Sequence, residues 1–192
     1  MNKSKERKIG ETLNAITDEL KICLGSISEA SAENALMMIE VADRIFCAGA
    51  GRSGLAVRGF AMRLMHLGKT VHVMGDITTP GIKESDLLIV ASGSGRTASL
   101  VAAVKKAKGI GVKVLLLTID PDSPIGKMAN FLVKFPAPSE KVKGGGYAVS
   151  IQPMGALFEQ SLLIFMDSLI VTLMNRLNQT SSIMFENHAN LE

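Results

Sequence analysis

The chain has no tryptophan and a single tyrosine, and aromatic residues make up only 4% of its 192 residues. Proteins that bind single-stranded nucleic acid stack the bases on aromatic side chains, which are scarce here. The formal net charge is only +3, and the basic residues are scattered along the sequence rather than clustered. These two absences argue against a nucleic-acid-binding function.

Cysteine is equally scarce. Cys23 and Cys47 are the only two, and their spacing matches neither a metal site nor a redox motif. Isolated thiols of this kind are typical of a reduced cytoplasmic protein. The N-terminus carries basic residues, but no apolar core or cleavage site follows them, so we expect no signal peptide and a cytoplasmic location.

Long uninterrupted apolar runs are also missing. The longest apolar segment, residues 157–177, is broken by Glu159, Gln160, Asp167 and Asn175, which predicts a buried helix rather than a membrane span. Hydrophobic residues at 47%, against 20% charged residues, argue against disorder. Without repeats or low-complexity linkers, all 192 residues are expected to form one domain.

Short apolar runs alternate with segments of helical periodicity along most of the chain. The predicted strands are residues 44–48, 70–74, 87–91, 112–118 and 131–135. The predicted helices are two over 4–42 with a break near 25–28, and others at 55–67, 98–107, from Pro124, at 153–178 and at 181–185. This alternation predicts an α/β three-layer sandwich with a five-stranded parallel sheet, flavodoxin-like order 2-1-3-4-5, and helices on both faces.

Two loops rich in glycine and hydroxyl residues follow the first and third predicted strands, at 49–54 and 92–97. In the order 2-1-3-4-5 these loops flank the switch point of the sheet, where ligands bind. Glycine backbone, hydroxyl groups and a helix N-terminus together suit a phosphate monoester, although a simple helix-capping turn is the alternative. The residues expected to bind the substrate or its phosphate are Gly51, Arg52, Ser53, Ser92, Gly93, Ser94, Arg96 and Thr97. Arg52 could neutralise phosphate or hold a sugar hydroxyl, and a solvent-facing residue at the helix start is the alternative.

The first of these loops also matches a dinucleotide fingerprint, through Gly49, Gly51 and Gly54, with Asp76 some 20 residues further on. This pattern leaves open an oxidoreductase that binds a dinucleotide. Against that interpretation, the chain has no room for a separate substrate domain, and a dinucleotide would not explain the second, hydroxyl-rich loop.

Taken together, several stretches resemble the sugar isomerase (SIS) domain family of phosphosugar-binding proteins, and within it the 6-phospho-3-hexuloisomerases. The matching stretches are residues 48–54, 60–68, 92–97, 152–155, 158–160 and 188–192. The Gln-Pro-Met-Gly stretch at 152–155 and the C-terminal tail are the more specific of these. The glycine-rich loop at 141–147 matches no pattern of the family.

The resemblance implies a flavodoxin-like sandwich that assembles into a homotetramer and uses neither a metal nor a redox cofactor. It implies interconversion of D-arabino-3-hexulose 6-phosphate and fructose 6-phosphate, in formaldehyde fixation by the ribulose monophosphate pathway or in pentose supply. A phosphosugar sensor without catalytic activity, like the regulators that carry this domain, is the alternative.

Moving a carbonyl between C3 and C2 through an enediol requires a base that carries a proton from one carbon to the next. Glu159, in the first turns of an apolar helix, is the expected base, with support from the resemblance; an acid that merely stabilises the helix dipole is the alternative. His188 is expected to protonate or polarise the sugar oxygens, again with support from the resemblance. Without the resemblance, the sequence predicts that His188 is a solvated residue of the C-terminal tail.

Other polar residues receive weaker assignments. Arg96 could neutralise phosphate or pair with a neighbouring acid, and Asp76 and Thr79 are expected at the mouth of the pocket. His66 is expected to be packed in the fold or at an interface, and His72 to be structural. The helix over 153–178 is apolar around most of its circumference, which predicts self-association.

Overall fold

Five parallel strands form one sheet at the centre of the computed structural model, which describes residues 7–140, 142 and 149–191. The strands are β1 (Arg44–Gly49), β2 (Thr70–Val73), β3 (Leu87–Ala91), β4 (Lys113–Thr118) and β5 (Phe131–Lys134). Their order across the sheet is β2-β1-β3-β4-β5, and every neighbouring pair is parallel. The predicted sheet and its strand order are therefore confirmed.

Six helices complete the described part of the chain. They are α1 (Ile9–Gly25), α2 (Glu29–Val41), α3 (Gly51–His66), α4 (Ala98–Ile110), α5 (Ala156–Arg176) and α6 (Ser181–Glu186). The predicted break between the first two helices is present, and Ser28 caps α2 by accepting a hydrogen bond from the backbone N–H of Ser31. Most of the glycine-rich loop singled out in the sequence, 141 and 143–147, lies outside the described residues.

Both faces of the sheet are buried, and alternate residues of a strand belong to two separate hydrophobic cores. Ile89 belongs to the core formed with α2, α3 and α5, whereas its neighbour Val90 belongs to the core formed with α4. This is the period of two expected for a strand, and all five residues of β3 are buried. Helices on both faces of the sheet are therefore confirmed.

Helix α5 is long enough and apolar enough to cross a membrane. It is the one helix with this property among the residues that the structure describes. Half of its most apolar window is buried inside the fold. Leu162, Met166 and Leu173 are fully enclosed in the core shared with α2 and α3. The apolar residues on the buried side of α5 therefore pack the core of the fold.

Two elements differ from their predictions. Helix α3 begins at Gly51 rather than near residue 55, because Gly51 adopts a left-handed φ of 57° that turns the chain directly from β1 into the helix. The short helix predicted from Pro124 is instead a series of turns over 121–128. There the backbone N–H of Ile125 donates to the carbonyl oxygen of Gly95, so this segment pairs with another loop.

The junction of β1 and α3 depends on a close approach of two glycines. A Cβ atom at Gly54 would lie 2.9 Å from the carbonyl oxygen of Gly49, and one at Gly49 would lie 2.9 Å from the Cα of Gly54. Both distances fall well inside van der Waals contact with rigid backbone. Only glycine at both positions lets α3 start this close to the strand.

We predict that Gly54→Ala lowers the free energy of unfolding by about 1–3 kcal/mol, because the added methyl group meets backbone that cannot move aside. Gly59→Ala in the same helix is the matched control, since a Cβ at Gly59 meets nothing within 4 Å. Removing glycine from a helix interior there should stabilise the protein by about 0.5–1 kcal/mol. Urea unfolding followed by circular dichroism measures both, and equal effects of the two substitutions would contradict the packing argument.

Candidate active site

A cavity of about 370 Å³ lies outside the carboxyl ends of β1 and β3. Both glycine-rich loops and the first turn of α5 enclose it. The lining residues are Ala50, Gly51, Arg52, Ser53, Ala91, Ser92, Gly93, Ser94, Thr97, Leu100, Ile119, Ser139, Glu140, Met154, Gly155, Phe158 and Glu159. The structure thus brings together all the predicted catalytic and substrate-binding residues except Arg96 and His188.

The hydroxyl groups of the second loop are oriented by the loop's own backbone. Ser92 Oγ accepts a hydrogen bond from the N–H of Gly95 at 3.2 Å, and Ser94 Oγ accepts one from the N–H of Arg96 at 3.3 Å. With the oxygen used as an acceptor in this way, each hydroxyl keeps its proton for donation to an anion. Helix α4 begins after its N-cap residue Thr97, next to these hydroxyl groups, and its N-terminus adds a partial positive charge.

This loop is attached to the end of β4. The carbonyl oxygen of Gly93 accepts hydrogen bonds from the N–H of Ile119 at 3.0 Å and from Thr118 Oγ1 at 3.1 Å. Gly95 has a φ of 58°, and a Cβ there would collide with the side chain of Ser123. Backbone conformation and packing both require glycine at 95.

Glu159 and Arg52 form an ion pair across the cavity, with Arg52 Nη1 2.9 Å from Glu159 Oε2. Arg52 is in the first turn of α3, and Glu159 is in the first turn of α5. The glutamate side chain is 22% exposed and that of Arg52 is 55% exposed. A half-enclosed carboxylate with a guanidinium against it can accept a proton while the cation stays next to the oxygens of a bound molecule.

Arg96 points away from the cavity and pairs with Asp120, at 2.7 Å between Nη2 and Oδ2. This is the second of the two arrangements that the sequence left open. The pair joins the hydroxyl-bearing loop to the turn after β4. Arg96 therefore braces the loop in this structure and does not line the cavity itself.

The expectation that Asp76 and Thr79 lie at the mouth of the pocket is wrong. Asp76 forms an ion pair with Arg58 at 2.8 Å, and Thr79 Oγ1 donates to the carbonyl oxygen of Val73. Both residues line a separate groove beside β2. Asp76 is thus not placed as the acidic partner of a dinucleotide in the main cavity, which removes one support for the oxidoreductase interpretation.

His188 lies at the opposite end of α3 from the cavity. Its ring stacks on His66 with centroids 5.2 Å apart, and on Phe185 at 5.5 Å. His66 is fourteen helical residues beyond Arg52, a distance of about 21 Å at the usual rise of an α-helix. The structure therefore does not bring His188 and Glu159 of one chain together.

The other two histidines are packed within the fold, as predicted. His66 is 3% exposed, and burial, together with the nearby Arg63 and His188, lowers the pKa of its imidazole. His72 in β2 packs against Phe46 with ring centroids 5.0 Å apart. Neither ring lines the main cavity.

Among the residues that the structure describes, no group of three His, Cys, Asp or Glu side chains is close enough to hold a metal ion. Sequence reasoning missed Glu140 and Met154 of the cavity wall, and it assigned no role to Glu19 of α1. Glu19 binds the segment that leads into α5. No local pattern marks this residue, because the contact joins positions more than 130 residues apart.

Comparisons with known proteins identify the family of this chain. A family model described as the SIS domain matches residues 38–164. The chain is 45% identical over 185 residues to the 3-hexulose-6-phosphate isomerase of Bacillus subtilis, a match that covers 96% of this chain and 100% of that protein. It is 39% identical over 184 residues to the protein of the same name from Mycobacterium gastri, covering 96% and 92% of the two chains.

A solved structure from Methanococcus jannaschii, described as inferring a molecular function of 3-hexulose-6-phosphate isomerase, has the same fold. It matches with a TM-score of 0.82 at 34% identity, covering 95% of this chain and 99% of the other. The resemblance drawn from the sequence motifs is confirmed by these matches, and the chain belongs to the SIS domain family.

Proposed function

We propose that the protein is a phosphosugar isomerase that interconverts D-arabino-3-hexulose 6-phosphate and fructose 6-phosphate in the cytoplasm. The observation that carries this proposal is that the hydroxyl groups of Ser92, Ser94 and Thr97 and the carboxylate of Glu159 line the same cavity. The names of the two bacterial relatives support the choice of substrate. In the cell the reaction would serve formaldehyde fixation through the ribulose monophosphate pathway, or pentose supply.

The phosphate group is assigned to the loop between β3 and α4. Ser92, Ser94 and Thr97 offer hydroxyl protons, and the N-terminus of α4 contributes backbone N–H groups. Ser53, in the first turn of α3, lines the same cavity from the loop that follows β1. No carbon chemistry is assigned to this half of the cavity, whose task is to hold one end of the substrate.

The chemistry is assigned to the other half. Glu159 removes the proton from C2 of the 3-hexulose, and the electron pair of the broken C–H bond forms the double bond of a 2,3-enediol as the C3 oxygen takes up a proton. The same carboxyl then returns a proton to C3 while the oxygen on C2 loses its proton and becomes the new carbonyl. The step is redox-neutral overall, because C2 is oxidised as C3 is reduced.

Arg52 is assigned to the oxygens that carry negative charge during this step. Its guanidinium is already 2.9 Å from the carboxylate of Glu159. When Glu159 takes up the proton and becomes neutral, the positive charge of Arg52 is left for the enediolate oxygen that forms beside it.

Deuterium exchange tests the function directly. Incubation of the wild-type protein with fructose 6-phosphate in deuterated water should replace the hydrogen on C3 with deuterium, as seen by NMR. Glu159→Gln should lose nearly all exchange and turnover, because the amide cannot accept the proton. Glu84→Gln, the same substitution at an exposed glutamate before β3 that does not line the cavity, is the matched control and should keep both. Phosphosugar binding by wild type without any exchange would favour the sensor alternative.

The phosphate assignment predicts a separate effect on substrate affinity. Ser94→Ala removes a hydrogen bond to a charged phosphate, which should raise KM about 10- to 100-fold. Ser99→Ala is the control, because Ser99 is exposed on the first turn of α4 and does not line the cavity. An unchanged KM in both Ser92→Ala and Ser94→Ala would rule out this loop as the phosphate site.

The site is proposed to be completed by a second copy of the chain, in a homotetramer. His188 stacks on His66, which lies about 21 Å along α3 from Arg52 of the same chain's cavity, yet a proton donor is needed beside the sugar oxygens. The outer side of α5 leaves Leu163, Ile164 and Val171 between 43% and 59% exposed, which suits a contact between subunits. His188 of one subunit is therefore assigned to the cavity of its neighbour.

Mixed oligomers test this arrangement. His188→Ala alone should lose about 10²- to 10⁴-fold in kcat, the usual contribution of general acid catalysis, whereas Glu159→Gln loses more. Oligomers refolded from both mutants should regain part of the activity, since some cavities receive both native residues. Native mass spectrometry confirms mixing. Activity of the mixed oligomers no higher than that of the separate mutants would exclude a site shared in this way.

A further inference from the structure

Glu19, in the middle of α1, accepts three hydrogen bonds from three consecutive residues that precede α5. Its Oε2 accepts from Ser150 Oγ at 2.6 Å and from Gln152 Nε2 at 2.9 Å. Its Oε1 accepts from the backbone N–H of Ile151 at 2.7 Å. Ser150 Oγ in turn accepts from the N–H of Gln152, so one carboxylate organises the whole three-residue segment.

The chemistry of these partners requires an ionised acid at position 19. Every group aimed at the two oxygens is a donor. Burial raises the pKa of the Glu19 carboxyl, but the hydrogen bonds from Ser150, Gln152 and Ile151, together with the positive charge of Arg7, outweigh burial and hold the pKa below its usual value. A glutamine here would aim its own N–H₂ group at one of these donors.

The anchored segment leads directly into the cavity wall. Two residues after Gln152, Met154 adopts a φ of 53°, a left-handed conformation that is costly for a side chain of this kind. Met154 and Gly155 both line the cavity, and the backbone N–H of Glu159 donates to the carbonyl oxygen of Gly155. A strained residue next to a cavity persists only where its surroundings hold it in place.

We propose that Glu19 is a positioning residue of the candidate site: by fixing residues 150–152 it holds the strained turn at Met154 and the first turn of α5, and thereby sets the place of the Glu159 carboxylate. The proposal rests on the proposed isomerase function for the role of Glu159. It gives α1 a part in the reaction without any contact between α1 and the substrate.

The experiment compares Glu19→Gln with Asp18→Asn, an adjacent and exposed acid of the same helix that loses the same charge. Competent sites are first counted by calorimetric titration with inorganic phosphate, so that turnover is expressed per site. Glu19→Gln should lose about 10- to 100-fold in kcat, since small misplacements of a catalytic group have effects of this size. KM and phosphate affinity should stay within about threefold, because the phosphate loop is attached to β3 and β4. Asp18→Asn should match wild type.

Hydrogen exchange supplies a readout that does not depend on activity. Backbone amides of residues 150–159 should exchange faster in Glu19→Gln than in wild type, while those of 92–97 stay protected. Ser150→Ala, a milder change, should lose about 3- to 10-fold in kcat at unchanged KM, and the double variant should lose no more than Glu19→Gln alone. Ser150→Ala carries the test if Glu19→Gln does not fold.

The outcomes separate the two proposals. An unchanged kcat in Glu19→Gln, with an active wild type, would overturn the positioning role. An equal loss of kcat and phosphate affinity would do so as well, because it would indicate a general structural defect. If wild type shows no turnover, the isomerase proposal fails, and exchange at 150–159 still decides the role of Glu19: unchanged protection in Glu19→Gln overturns it.

Discussion

The site depends on the register between β1 and β3. Gly49 pairs with Ala91, so the two strands end at the same level and their loops leave the sheet side by side. Neighbouring strands in a sheet are about 4.8 Å apart, which is within the span of a phosphate and its ligands. A shift of one residue in this register would move one loop away from the other. The starts of α3 and α4 and the hydroxyl groups of the two loops take their positions from this pairing.

Much of this architecture is visible in the sequence because it follows from local patterns. The uninterrupted apolar run of β3 predicts a strand buried on both faces, and the alternation of strands with helices predicts a parallel sheet. The switch point then follows from the order of the strands. Ser53, Ser92 and Ser94 could be placed near one another on this basis, whereas Glu159 is expected at the site from its position in an apolar helix and from the family resemblance.

The sequence does not identify the partners of charged side chains. Arg96 lies in the predicted phosphate loop, yet its guanidinium is held by Asp120, 24 residues further along the chain. Asp76 has the spacing of a dinucleotide fingerprint, but Arg58 binds it at the edge of the sheet. Charge pairing is decided by tertiary distances of a few ångströms, and the spacing of residues along the chain carries no information about them.

The anchor at Glu19 divides the cavity into two parts with different folding requirements. The hydroxyl-bearing loops are built from contacts within residues 44–125, a continuous stretch that includes the four adjacent strands β2, β1, β3 and β4. The carboxylate end is complete only when α1 meets a segment 131 to 133 residues away. Closing so long a loop costs conformational entropy that local contacts do not require. A nascent or partly unfolded chain can therefore form the half of the cavity assigned to phosphate while the half assigned to turnover is still unassembled.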